Sequence, residues 1–306
     1  MSDRLPWHQD PEYVAVCHEA DMDGLGCALL LSACTAVVDV SFADYPLPPD
    51  LGAEGKVVVC DLRLPADSPA WQNPDLVVFD HHAAAPEGAK ARYADARDDG
   101  AACATKLLWD YLVHQAHEPT DLTDGDRFVA MVNAGDLHLT DDPHYGRSRC
   151  YTWLLNKVGM QKLFAIARAN PERFIDLPAG FLRTVDAARK RENEKARAVA
   201  EKFGIGRRYG DSIPYLVTLV IGGDRSEILG GMAEELGTPV VGLCLDQLKG
   251  RQVTASIRDP EGRAREIAEA FGGGGHREAA GFTMDLDEAL RLWRCEGEYS
   301  TAGGDA

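Results

Sequence analysis

The 306-residue sequence contains no Cys-x-x-Cys pair, although it has eight cysteines, at positions 17, 27, 34, 60, 103, 150, 244 and 295. Without such a pair, and with several cysteines in apolar segments where they act as small hydrophobes, neither a zinc knuckle nor a disulfide framework is expected, which fits a reducing compartment. Long hydrophobic runs are also missing. None reaches the roughly 18–20 residues that cross a bilayer, and the stretch from Met1 to Asp10 is polar, without the apolar centre of a secretory signal. The expectation is a cytoplasmic protein with no membrane partner. Basic residues are few: 32 Lys and Arg stand against 49 Asp and Glu, a formal charge of -17. Broad binding to long duplex nucleic acid depends on Lys and Arg neutralising phosphates, so the chain is unsuited to it. Short or mononucleotide-sized partners remain, because divalent ions and a local basic patch reverse the potential inside one cleft.

What is present is a recurring pattern in which an apolar run ends at once in residues that bind metal or move protons. Val77-Val78-Phe79 leads into Asp80-His81-His82, and Tyr13-Val14-Ala15-Val16-Cys17 into His18, Asp21, Asp23 and Gly24. Lys56-Val57-Val58-Val59-Cys60 leads into Asp61, and Phe128-Val129-Ala130-Met131-Val132, read as a fourth strand, passes through Asn133 to Asp136. In an open α/β sheet such groups collect outside the carboxyl ends of the strands, near a topological switch point. The four segments therefore predict one crevice.

Between these runs the pattern alternates. Leu25 to Val40 reads as a helix rising from the first strand, and Gly100 to Trp109 opens another that leans over the crevice. Residues 153–174 are helical, and 179–203 form a highly charged helix read as a connector. Strands resume at Tyr215 to Ile221, Val240 to Leu245 and Gln252 to Ile257, with a helix at Ser226 to Leu236. The expected fold is α/β: a parallel-sheet domain over 1–178, a helical linker over 179–205, and a smaller α/β domain over 206–306.

His18, Asp21, Asp23, Asp61, His81 and Asp136 make two imidazoles and four carboxylates. Neighbouring carboxylates facing one point repel unless cations lie between them, and this mixed oxygen and nitrogen set suits Mn²⁺, and less exclusively Mg²⁺, Co²⁺, Fe²⁺ or Zn²⁺. Two such ions would stabilise the attacking and leaving oxygens of a displacement at phosphorus, which favours phosphoester hydrolysis. Further on, Gly272-Gly273-Gly274-Gly275-His276-Arg277 offers backbone N–H groups and close approach, suited to binding phosphate or base.

These residues resemble the DHH phosphoesterases that carry a C-terminal DHHA1 domain. His18-x-x-Asp21-x-Asp23-Gly24 is similar to the first motif of that family, Asp61 to the second, Asp80-His81-His82 to the signature and Asp136 to the fourth. Gly272 to Phe282 is similar to the glycine-rich DHHA1 motif, so the resemblance covers nearly the whole chain in order. The separation of His18 from Asp21 is three positions, where some branches have four. The resemblance implies one Mn²⁺ held by His18, Asp21 and Asp61, and a second held by Asp23, Asp61, His81 and Asp136, with Asp61 bridging. It also implies that His82 faces the scissile phosphate, that Asp80 orients a histidine, and that Gly273, Gly274, Gly275, His276 and Arg277 hold the substrate.

Family members act on several phosphorus substrates. The pyrophosphatases carry a different C-terminal domain, the large exonucleases add nucleic-acid-binding domains, and the membrane-bound cyclic-dinucleotide phosphodiesterases add transmembrane segments. The expectation is thus an enzyme of the compact branch: a Mn²⁺-dependent phosphodiesterase or exonuclease of very short oligonucleotides, including linear dinucleotides such as pGpG. Cyclic dinucleotides and 3′-phosphoadenosine 5′-phosphate are the alternative substrates, and a silent nucleotide-binding regulator is the alternative from another class. Apolar helix faces leave a homodimer open.

Overall fold

A computed structural model of the chain describes residues 6–82, 85–94, 102–115, 122, 124–209 and 213–294. The chain forms two compact units, Met1–Val185 and Asp186–Ala306.

The first unit is built on five strands, β1 (Val14–His18), β2 (Asp39–Ala43), β3 (Val57–Cys60), β4 (Leu76–Phe79) and β5 (Arg92–Ala94), paired in parallel in the order β2-β1-β3-β4-β5. The central strands β3 and β4 are buried at every position, as strands covered on both faces must be. Their side chains alternate between two cores. Val58, Cys60, Val77 and Phe79 join the cluster that holds α1 (Met22–Cys34), and Val57, Val59, Leu76 and Val78 join Leu62, Leu64 and Trp71 on the other face. Helix α1 fully buries Leu25, Leu29, Leu30 and Leu31, each stabilising the fold by about 2 kcal/mol relative to exposure. After β1 the chain goes to β2 on one side and then to β3 on the other. The switch point of the sheet therefore lies between the carboxyl ends of β1 and β3.

Two expectations fail in this unit. The helix read over Leu25 to Val40 stops at Cys34, where Thr35 turns to extended backbone and its hydroxyl donates to the Leu31 carbonyl; residues from Asp39 form β2 instead. Phe128 to Val132 is not a strand but the centre of α3 (Gly125–Asp136). A five-residue apolar run cannot by itself separate a strand from a buried helix. Phe128, Val129, Met131 and Val132 are buried while Ala130 is not, a helical face rather than an alternation. Helix α2 (Ala104–Asp110) precedes α3, and the span 153–174 resolves into α4 (Tyr145–Val158), α5 (Met160–Ala169) and α6 (Pro171–Ile175). Gly100 and Ala101 lie outside the described residues.

The division between the units falls inside α7 (Ala179–Lys202), which covers most of the stretch read as a connector. The second unit has six strands in the order β10-β11-β9-β8-β7-β6. They are β6 (Ile205–Tyr209), β7 (Ile213–Val220), β8 (Val240–Lys249), β9 (Gln252–Arg258), β10 (Gly274–Gly275) and β11 (Ala279–Asp285), with α8 (Arg225–Leu236), α9 (Ala264–Ala270) and α10 (Leu286–Arg294). Only β7 and β8 pair in parallel; the other ladders are antiparallel. No described helix is long and apolar enough to cross a membrane, and the seven described cysteines are free thiols.

Candidate metal centre

The acidic and imidazole groups of the first unit gather at the carboxyl ends of its central strands. Cys17 of β1 is in register with Cys60 of β3, and Cys60 with Phe79 of β4, so His18, Asp61 and Asp80 follow at one level. Asp61 sits at φ +57°, a left-handed backbone that Asp tolerates better than most residues, and its N–H donates to the Phe79 carbonyl at 2.8 Å. Asp21 caps α1, its Oδ1 accepting the N–H groups of Asp23 and Gly24 at 3.1 and 3.0 Å. Gly24 is required by space. A Cβ there would lie 2.0 Å from the His18 carbonyl oxygen, because the first turn of α1 folds back against the end of β1.

The groups converge in two triads that share a wall. His18 Nδ1 lies 2.8 Å from Asp21 Oδ2 and 3.3 Å from Asp61 Oδ2. His81 Nε2 lies 3.3 Å from Asp136 Oδ2, 3.9 Å from Asp23 Oδ2 and 3.7 Å from Asp61 Oδ1. Within His18, Asp21 and Asp61, and again within Asp23, His81 and Asp136, one donor atom per residue lies within 4.8 Å of the others. Asp61, 1% exposed, thus turns one oxygen toward each triad. Although α3 is a helix and not a strand, it brings Asp136 to the place expected of it, as its last residue.

Helix α2 steadies Asp23. Both of its carboxylate oxygens accept N–H groups of the first turn, from Ala104 and Thr105, each at 2.7 Å, while the Thr105 hydroxyl donates to the Asp23 carbonyl at 2.8 Å. Asn133 of α3 in turn accepts the Cys103 N–H at 2.9 Å, fixing the start of α2. On the outer side, His82 Nδ1 is 2.7 Å from Asp80 Oδ1, and the rings of His81 and His82 lie 4.2 Å apart.

Electrostatics shows the crowding. Burial, then the negative charges of Asp21, Asp23 and Asp136, push the Asp61 carboxyl well above the usual range; burial and the charges of Asp23, Asp21 and Asp80 do the same to Asp136. Asp21 is partly exposed; the desolvation it does suffer is more than offset by the His18 ring and the Gly24 N–H, which hold its carboxyl low. Burial opposes charge on His18, yet Asp21, Asp44 and Asp23 outweigh it and raise the ring to about 8. Burial lowers His81, while in His82 the hydrogen bond to Asp80 overcomes burial and raises it. Asp136 Oδ2 is buried and accepts no hydrogen bond from the described residues. Repelling carboxylates, an unmet buried oxygen and a mixed O and N donor set fit divalent cations.

Two further neighbours follow β2, the strand that the sequence pattern hides. Asp44 follows that strand and lies 3.7 Å from His18 Nε2; Tyr45 packs edge-on against the His18 ring, centroids 5.9 Å apart. Phe42-Ala43-Asp44 repeats the pattern of strand then acid, but the apolar stretch before it continues the helical pattern of α1 and masks the signal.

Gly273, Gly274, Gly275, His276 and Arg277 belong to the second unit, on the hairpin of β10 and β11, with Gly274 opposite Gly281 and Gly275 opposite Ala280. The N–H groups of Gly272, Gly273 and His276 already donate to Glu269, Ala268 and Ala279. A Cβ on Gly273 would lie 2.2 Å from the Gly281 carbonyl oxygen, so part of this glycine run serves strand packing. His276 and Arg277 are exposed at the hairpin tip.

No protein-family model and no curated protein matches the sequence. Solved structures do match. A pGpG-specific phosphodiesterase, PggH from Vibrio cholerae, is 15% identical over 93% of this chain and 97% of that one, with a TM-score of 0.52. The exonuclease RecJ bound to manganese is 16% identical over 94% and 89%, with a TM-score of 0.53. The DHH domain of a protein described as a member of a ribosomal-protein family is 13% identical over 93% and 86%, with a TM-score of 0.51. At such identities the likeness is one of fold. With its parallel strands in the order β2-β1-β3-β4-β5, and Asp80-His81-His82 at the end of β4, the chain has the fold of the DHH-family proteins.

Proposed function

We propose that the protein is a metal-dependent phosphoesterase that hydrolyses very short oligonucleotides, linear dinucleotides such as pGpG among them, with two divalent ions, Mn²⁺ by preference. The observation that carries this reading is Asp61, buried at the switch point with one oxygen toward His18 and Asp21 and the other toward His81. His18, Asp21 and Asp61 would hold one ion; Asp23, Asp61, His81 and Asp136 the other. Bound there, the ions supply a nucleophile from water at neutral pH and balance charge on the phosphate oxygens.

The remaining steps fall to the chain. His82 keeps Nδ1 on Asp80, so Nε2 is the nitrogen that gives a proton to the leaving oxygen, and the Asp80 charge favours the protonated ring needed for that. Asp23, pinned by α2, and Asp61, set on its left-handed backbone, need little rearrangement on loading. His276, Arg277 and the Gly273–Gly275 backbone are the groups of the second unit assigned to substrate. A short substrate is compatible with the charge of -17, because the phosphates to be neutralised are few.

The test is hydrolysis of pGpG, a short RNA, 3′-phosphoadenosine 5′-phosphate, cyclic dinucleotides and pyrophosphate, each with Mn²⁺ and with a chelator. Stepwise release of 5′-mononucleotides from pGpG and the RNA is expected; turnover confined to a cyclic dinucleotide would overturn the linear-substrate reading, and no turnover at all would overturn the enzymatic one. Mn²⁺ should also raise the melting temperature, since an ion at 100 times its Kd stabilises by about 2.7 kcal/mol. Absence of any shift in a calorimetric scan would count against the metal centre.

Asp80→Asn should lower kcat on the order of 10- to 100-fold with little change in Mn²⁺ affinity, because the substitution removes the charge behind His82 and spares the two triads. A matching loss of Mn²⁺ affinity would make Asp80 a ligand instead.

A further inference from the structure

We propose that Tyr45 and Arg63 form a nucleotide subsite beside the metal centre, with the Tyr45 ring as the platform for a nucleobase and the Arg63 guanidinium as the contact for a phosphate. The inference rests on the reading of the centre as a phosphoesterase site and names how a nucleotide is recognised there.

Both residues leave the same edge of the sheet as the acidic cluster. Tyr45 stands just beyond β2, and Arg63 two residues beyond Asp61. Tyr45 is anchored at both ends. Its backbone N–H donates to Asp44 Oδ1 at 2.7 Å, and its hydroxyl oxygen accepts the Arg63 N–H, also at 2.7 Å. The ring makes an edge contact with His18, centroids 5.9 Å apart and planes at 65°, and yet remains 44% exposed. A tyrosine that served only to pack against His18 would be covered, as Trp7, Tyr13, Trp71 and Phe79 of this unit are, all 4% exposed or less. A rigid, half-open ring within one ring-contact of a metal-ligand candidate is what base stacking uses, and such stacking is worth about 1–3 kcal/mol per base.

Arg63 supplies the second half. Its side chain is exposed, and among the described residues no carboxylate lies within ion-pair distance of it, although Asp44, Asp61 and Asp80 crowd the same edge. In an acidic chain, an arginine left without a carboxylate beside an anion-binding site is suited to phosphate, which its planar guanidinium engages through paired donors. The short tie from its N–H to the Tyr45 hydroxyl holds platform and cation together, so base and phosphate of one nucleotide are met by residues that move as one piece.

Affinity should be measured calorimetrically for pGpG and for the same diribonucleotide lacking both bases, with Ca²⁺ in place of Mn²⁺ to slow turnover. Wild type is expected to bind pGpG on the order of ten-fold tighter than the base-free compound. Tyr45→Ala should erase that difference, Tyr45→Trp should keep it, and Arg63→Gln should weaken both ligands by a similar factor. Mn²⁺ affinity should stay within about two-fold of wild type in every variant. Equal loss of both ligands in Tyr45→Ala, a weakened Mn²⁺ site in that variant, or no preference for the base in wild type would each overturn the proposal. Failure of the phosphoesterase reading is seen separately, as binding without Mn²⁺-dependent hydrolysis.

Discussion

Asp61→Asn protein will lose Mn²⁺-dependent hydrolysis by roughly 1,000-fold or more, and its metal-free form will melt higher than metal-free wild type. Both effects have one cause. Asp61 is buried among Asp21, Asp23 and Asp136, which together with burial hold its carboxyl well above the ordinary range. Without cations that charge opposes folding; with them it is the wall shared by both triads. Asn keeps the size and tolerates the left-handed backbone at φ +57°, so the change removes charge without disturbing the chain. A rise of roughly 2–6 °C is expected for a unit of this size. The sign with pH follows. A carboxyl raised in the folded state favours folding below its ordinary range, and that contribution is lost as pH rises through the raised value. The advantage of Asn should therefore be small near pH 4, where Asp61 is protonated in either state, and grow toward neutrality. Mn²⁺ should reverse the order, stabilising wild type more than the variant. A scan from pH 3 to 8 with and without the ion reads all of this, and an Asp61→Asn protein that melts lower than wild type without metal at neutral pH would contradict the account of the charge.

Gly24→Ala is the second large effect, and it acts through backbone. The added Cβ would meet the His18 carbonyl oxygen at 2.0 Å, and no flexible side chain is there to give way. Either α1 lifts from the end of β1 or the strand end is displaced. Both outcomes move Asp21 and Asp23, which the first turn of α1 carries, away from His18 and Asp61. A destabilisation of about 3 kcal/mol or more is expected, near the upper end for a single substitution, with loss of Mn²⁺ binding. Gly26→Ala, on the same helix, would meet the Thr105 side chain at 2.4 Å. There a hydroxyl and a methyl can shift, so a smaller loss is expected. Denaturant unfolding of the two variants, side by side, separates the cases; equal and small effects would show that α1 is free to adjust.

Much of the centre is legible in the sequence. The chemistry sits in short runs, His18 to Gly24 and Asp80 to His82, each beginning where an apolar strand ends, and apolar runs of four or five residues leave a clear mark. The strands that frame it, β1, β3 and β4, fall within a residue or so of where the apolar runs place them. Asp136 reaches the site by a different route from the one its sequence suggests. The run before it resembles a strand, because five apolar residues show too little of a helical period to betray one. Strand β2 is hidden because the helical pattern of α1 continues past its true end, and Asp44 and Tyr45 are hidden with it. The glycine run before His276 has the look of an open loop of free donors, yet three of the N–H groups there are bonded within the unit.

The sequence by itself determined which residue types were available, their order along the chain, and that they stand at strand ends, since composition and period 2 or 3.6 are local properties. Tertiary structure alone decided the rest. Parallel pairing in the order β2-β1-β3-β4-β5 sets the ends of β1 and β3 side by side, so His18 and Asp61, 43 positions apart, come within 3.3 Å. The packing of α2 and α3 against α1 delivers two N–H groups to Asp23 and brings Asp136 to His81. Nothing local encodes those meetings: they arise because each element has an apolar face to bury, and only one arrangement of the sheet and its helices buries them all at once.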